Sequence, residues 1–150
     1  MNVDLIHRTA SDKVSSTSSF RVSGCSRSLI KDLAHYKLLI QEEKPKKWDG
    51  FEFKIPKSVE DMSFKGDMAR EFELDMQRIE YCYRKWKKKL KKKKIDIIDA
   101  ESVLPGCCLT NLQVIASDED IKGILAIETG DSEIKEFAEM TSEIINSNNA

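Results

Sequence analysis

The residues with the clearest chemical potential form a dense cluster of cations in the middle of the chain. Nine of the eleven residues from 84 to 94 are Arg or Lys, and only Trp86 and Leu90 interrupt them. The cluster consists of Arg84, Lys85, Lys87, Lys88, Lys89, Lys91, Lys92, Lys93 and Lys94. A few cations favour a helix C-terminus, but this many repel one another. Each phosphate contact releases a bound counterion, so the cluster predicts binding to RNA, DNA or another polyanion.

Aromatic residues lie among these cations, and exposed rings can stack on unpaired bases. Tyr83 and Trp86 share the spacing of the surrounding apolar residues, so we expect both rings to be buried. Tyr81 falls outside that spacing and completes the predicted polyanion-binding set as an exposed ring. The run from 87 to 94 is also typical of a nuclear-import signal, which predicts an intracellular protein, nuclear or cytoplasmic.

One long helix, from about 67 to 94, must position the cluster. Its apolar residues alternate at spacings of three and four, the a and d positions of a heptad. They are Ala69, Phe72, Met76, Ile79, Tyr83, Trp86 and Leu90. This stripe, the seam, predicts packing within the fold or pairing with a partner helix or a second copy of the chain. Trp86, Leu90 and Ile95 also have the spacing of anchors for an acidic hydrophobic groove in a partner protein.

The remaining patterns predict a mainly helical α+β fold, in which the long helix packs with two shorter helices and a small β-hairpin. The shorter helices are expected over 28–43 and 131–146. The hairpin combines a strand over 107–116 with residues 121–128. Ser117 and Asp120 resemble a capping box, which leaves a helix over 121–128 as the alternative.

Composition predicts three segments. Residues 1–27 are Ser-rich and are expected to be flexible, 28–146 to form a single globular domain, and 147–150 to fray. An organelle transit peptide is an alternative for the N-terminus, although Asp4 and Asp12 argue against it.

Charge is strongly segregated along the chain despite a net charge of −1. Residues 99–150 contain eleven acids and two lysines, so residues 1–98 carry a net charge of +8. This asymmetry indicates either an anionic partner for the basic half or its neutralisation by the acidic half.

No set of residues predicts catalysis, a cofactor or a metal site. The four cysteines and two histidines lack the local spacings that form zinc sites, and no phosphate-binding or nucleophile motif is present. Free thiols in a reducing compartment are expected. No apolar run is long enough to span a membrane.

Three segments of the chain resemble parts of the GNAT acetyltransferases. The segments 3–8 and 29–36 look like the first strand and first helix of that family, and 114–127 is similar to its second hairpin. The motif that binds the pyrophosphate of acetyl-CoA is absent, and an acidic helix follows Gly130 in its place. The resemblance therefore implies a degenerate fold of this type without activity, and it supplies no site residue.

These patterns predict a non-enzymatic interaction module that binds nucleic acid or another polyanion through its lysine-rich helix end. The alternatives are a structural subunit that pairs through the long helix and the degenerate acetyltransferase-like fold.

Overall fold

The computed structural model describes residues 1–9, 15–43, 52–62, 66–130 and 132–149. It divides into two compact units: the sheet unit, Met1–Lys46 with Thr110–Ala150, and the long-helix unit, Lys47–Leu109. In chain order, the described elements are β1 Asn2–Thr9, β2 Thr17–Ser26, α1 Ser28–Leu33, β3 Leu39–Glu43, α2 Lys57–Asp61, α3 Met68–Lys92, a 3₁₀ helix Ile97–Val103, β4 Leu109–Ser117, α4 Asp118–Ile127 and α5 Glu133–Asn149. The single globular domain over 28–146 stays a prediction.

The strands of the sheet unit form one antiparallel sheet in the order β1-β2-β4-β3. Alternate residues of each strand face the core, as the pleat requires. Val3 of β1 lies opposite Val22 of β2, and both are buried. The register shifts between Leu5 and His7, which places a β-bulge in the edge strand β1.

Helices α1, α4 and α5 contribute the rest of this core. Leu29 and Leu33 of α1 pack with Ile121 and Ile124 of α4 and with an apolar stripe on α5. The stripe contains Ile134, Phe137, Ala138 and Ile145. Its spacings of three, one and seven residues keep one face of α5 against the core.

The fold class predicted from the sequence is wrong in the extent of its sheet. A mainly helical fold with one small hairpin was expected, whereas the described residues contain a four-stranded sheet and five α-helices. The predicted helix over 28–43 is α1 followed by β3. Leu39 to Glu43 form a ladder with β4, and this long-range pairing overrides the helical spacing that continues from α1.

Residues 121–128 do not form the second strand of a hairpin. Ser117 and Asp120 make both hydrogen bonds of a capping box, and α4 begins there.

Two further differences concern the termini. The described residues of 1–27 form β1 and β2 rather than a flexible segment, because Phe20 and Val22 occupy alternate positions of β2 and are buried. Helix α5 continues to Asn149, past the expected start of fraying.

The long-helix unit has a smaller core of its own. Met76 of α3 and Cys108 are buried, and Phe53, Phe72 and Ile79 pack against them. Backbone bonds fix the chain on either side of Phe53, since Lys54 N donates to Cys107 O and Leu109 N to Glu52 O. This core holds the seam of α3 and leaves the opposite face of the helix exposed.

Candidate nucleic-acid interface

The nine cations lie on the C-terminal half of α3 and its cap. All nine side chains are exposed except that of Lys87, which is half-buried. At roughly 100° per residue, the helical members cover about 200° of the circumference, centred opposite the seam. We call this the cation face. The apolar seam that packs in the fold and the cations therefore lie on opposite faces of α3.

Three members of the cation face contact neighbours on α3, namely Arg84, Lys87 and Lys89. Arg84 Nη2 lies 2.6 Å from Glu80 Oε1 in an exposed ion pair. The Lys87 ammonium lies 5.8 Å from the centroid of the Tyr83 ring. For these side chains, a carboxylate or an aromatic ring lies three or four residues away on the same helix.

The remaining six members of the cation face have no such compensation among the described residues. Lys85, Lys88 and the four lysines at 91–94 form no ion pair with any carboxylate in the described parts of the chain. From 81 to 94 the sequence contains no acidic residue at all. Like charges three or four residues apart on a helix repel each other. An anion that approaches these lysines therefore reduces their mutual repulsion.

Helix α3 ends in a Schellman motif. Ile95 N donates to Leu90 O at 3.1 Å, and Lys94 N donates to Lys91 O at 3.2 Å. Lys94 has a φ of 57°, a left-handed conformation that glycine adopts far more readily. A lysine at this position adds a charge to the helix end at a conformational cost.

The seam is used within the long-helix unit. Met76 and Tyr83 are buried, while Phe72, Ile79 and Leu90 are half-buried. Burial raises the pKa of the Tyr83 phenol, and the nearby Glu101 carboxylate raises it further. Most of the predicted partner-helix surface is thus occupied by the molecule's own residues.

Trp86 contradicts the expectation that the whole seam is buried. Its side chain is 46% exposed, and the Lys89 ammonium lies 4.9 Å from the centroid of its ring. The core of the unit ends before Trp86, which faces the 3₁₀ helix Ile97–Val103. Tyr81, predicted to be exposed, is 68% exposed.

A groove beside Trp86 contains residues that sequence reasoning missed. It is about half open to solvent, has a volume of about 370 Å³ and is lined by Trp86, Leu90, Asp99, Ser102 and Val103. Asp99 and Ser102 are exposed polar residues on the 3₁₀ helix, and Ser102 Oγ donates to Asp99 O at 2.8 Å. No sequence motif links Asp99 and Ser102 to Trp86, so their proximity to the ring is visible only in the folded structure.

Comparison with known proteins adds no assignment, because the chain matches no protein-family model and no curated protein. The part of the GNAT resemblance that rested on a second hairpin is wrong, since 118–127 is helix α4. Among the helices in the described ranges, none has the length and apolarity needed to cross a membrane.

Proposed function

We propose that this protein is a non-enzymatic interaction module that binds nucleic acid, or another polyanion, through the cation face of α3. The observation that carries the proposal is the exposure of the lysines at 88 and 91–94 without ion-pair partners among the described residues. Lysines on a folded surface are commonly interspersed with acids. Here no acid lies in the sequence between Glu80 and Asp96.

The geometry of the cation face favours contact with a phosphate backbone. The segment 84–92 is helical and extends for about 14 Å at 1.5 Å per residue. Several phosphates of one strand fit within that length, since successive phosphates of a duplex strand are spaced about 3.4 Å apart along the axis. Binding therefore draws on many weak contacts and depends steeply on salt.

These contacts give affinity without base selectivity. A lysine ammonium acts as a point charge towards phosphate, and phosphate contacts carry no sequence information. The proposal accordingly includes both RNA and DNA as targets of the cation face, and any preference must come from other residues.

Pairing of the seam with a partner helix is the weaker candidate. Met76 and Tyr83 are buried, and Phe72 and Ile79 pack against the same small core as Met76. A partner helix would have to displace those contacts before it gained its own. The protein-partner function therefore lacks a free seam on the described part of α3.

The test is fluorescence anisotropy with labelled single-stranded RNA, single-stranded DNA and duplex DNA of equal length, at salt concentrations from 25 to 300 mM. Heparin, a polyanion without bases, serves as a competitor. We expect binding to all three with log K falling linearly against log salt. Absence of binding at the lowest salt would overturn the proposal.

A further inference from the structure

The groove beside Trp86 lies within the long-helix unit, directly next to the cation face. Lys89 belongs to that face and also contacts the Trp86 ring, which lines the groove. A strand that follows the lysines therefore passes an exposed indole ring. The groove volume of about 370 Å³ is at the low end of ligand pockets and suits one planar group.

The walls of the groove match the faces of a nucleobase. Trp86 supplies an aromatic ring, while Leu90 and Val103 supply apolar surface beside it. A tryptophan that is 46% exposed leaves apolar area in water, and a stacked base would cover that area. A base inside a duplex cannot reach the ring, so the occupant must be unpaired.

The polar lining of the groove includes a carboxylate. Asp99 has an exposed carboxylate for which the described residues provide no ion pair or hydrogen-bond donor. An ionised carboxylate only accepts hydrogen bonds, through two oxygens. Guanine alone among the four bases presents two adjacent N–H donors, N1–H and N2–H, on its Watson–Crick edge.

We propose that this groove binds an unpaired guanine base of a single-stranded nucleic acid, which stacks on Trp86 and donates to Asp99. The proposal rests on the proposed function, because the cation face holds the phosphates on either side of the base. Lys89 leaves the Trp86 ring for a phosphate when the base enters. Phosphate binding by the lysines and base binding by the groove are separate contributions to affinity.

The experiment uses the full chain with Trp48 replaced by Phe, so that Trp86 is the only tryptophan. Ten-nucleotide strands of thymidine carry one central guanine, adenine, cytosine or abasic site, and anisotropy gives each affinity. Trp86 emission is recorded in the same titrations. We expect the guanine strand to bind about tenfold more tightly than the abasic strand and to quench Trp86 most strongly.

Two variants assign the effect to the groove. Trp86→Leu keeps an apolar side chain and should remove the advantage of guanine over the abasic site, while Leu74→Ala truncates an equally exposed apolar side chain of α3 outside the groove lining and should not. Asp99→Asn should abolish the preference for guanine over adenine and retain stacking. The salt slope should stay unchanged in Trp86→Leu and Leu74→Ala.

The outcomes separate the groove from the cation face. Salt-dependent binding of every strand with equal affinity and unchanged Trp86 emission would overturn the guanine site and leave the proposed function intact. A second titration uses guanosine 5′-monophosphate, whose single phosphate keeps the contribution of the cation face small. Quenching of Trp86 by this nucleotide, stronger than by adenosine 5′-monophosphate, supports the site even if long strands fail to bind. Equal or absent quenching in both experiments overturns it.

Discussion

Charged side chains of the sheet unit form close pairs, whereas most lysines in the C-terminal half of α3 form none with the residues that the structure describes. In the sheet unit, Arg8 Nη1 and Nη2 each lie 2.8 Å from a different oxygen of Asp118, and Arg8 also donates to Ser18 Oγ. Tyr36 donates its hydroxyl to Glu128 at 2.6 Å, which raises the pKa of Tyr36 to about 12. At the end of α3, six lysines have no ion-pair partner among the described residues.

This difference separates charges that stabilise the fold from charges available to a ligand. The Arg8 and Asp118 side chains are only 13% and 20% exposed, so removing one leaves the other charge poorly solvated. The lysines are solvated individually and contribute little to the fold. Mutations in the two regions should therefore affect different measurements.

The largest effect is expected from replacing Lys88, Lys91, Lys92 and Lys93 by Gln. The slope of log K against log salt should fall by about 3 to 4 for duplex DNA, since each phosphate contact contributes roughly 0.9. Anisotropy over the salt series measures the slope, and the free energy of unfolding should hardly change. The matched control replaces Lys31, Lys37, Lys57 and Lys122 by Gln, which removes the same charge elsewhere. An equal loss of slope in the control would assign binding to net charge rather than to the cation face.

Asp118→Asn should produce the next largest effect, on stability. Loss of the two charge-assisted hydrogen bonds to Arg8 should reduce the free energy of unfolding by about 1.5 to 3 kcal/mol in urea titrations at pH 7. Arg21→Gln is the control, because the Arg21–Glu43 pair is longer at 3.4 Å and Arg21 is 51% exposed. Its change should stay below about 0.5 kcal/mol. Similar losses in both variants would remove the distinction between the pairs.

The same ion pair predicts a pH dependence. The hydrogen bonds from Arg8 lower the pKa of the Asp118 carboxyl below its ordinary value. Its stabilisation is therefore fully present above the unfolded pKa, near 3.9, and is lost as pH falls through the lower folded pKa. Urea titrations between pH 6 and pH 2.5 should show a shallower acid loss in Asp118→Asn than in the wild type. Parallel curves would contradict a lowered folded pKa.

The smallest effect is expected at Lys94. Lys94→Gly should increase the free energy of unfolding by about 1 kcal/mol, because glycine adopts the left-handed conformation of this residue without steric cost. Lys93→Gly, at a φ of −89°, is the control and should give no gain. If both substitutions destabilise the protein equally, strain at Lys94 is not the cause.

The long local patterns were readable from the sequence. Helix α3 was predicted with its cation face, and β4 and α5 were predicted close to their observed positions. Each has a continuous periodicity, and the exposed charges of α3 needed only that helix to be correct. Tyr81 was placed in solvent for the same reason.

The errors arose where distant residues decide the local structure. Leu39 to Glu43 continue a helical spacing, yet they become a strand because β4 offers a ladder about seventy residues away. Trp86 occupies a seam position, but the seam packs against a small core that ends before it. Asp99 lies in the groove because it belongs to a 3₁₀ helix, and no periodicity in the sequence predicts that helix. Long-range pairing and the extent of a core are tertiary properties.

The bulge in β1 has a consequence for how the protein behaves at high concentration. An open sheet exposes the backbone groups of its edge strands, which can extend into another molecule and start aggregation. The register shift between Leu5 and His7 breaks the regular ladder at one edge, where Ile6 is 50% exposed. At the other edge, β3 is only five residues long and ends in two glutamates. We expect both edges to resist intermolecular β-pairing, so the chain should stay dispersed at concentrations that make longer, flatter edges polymerise.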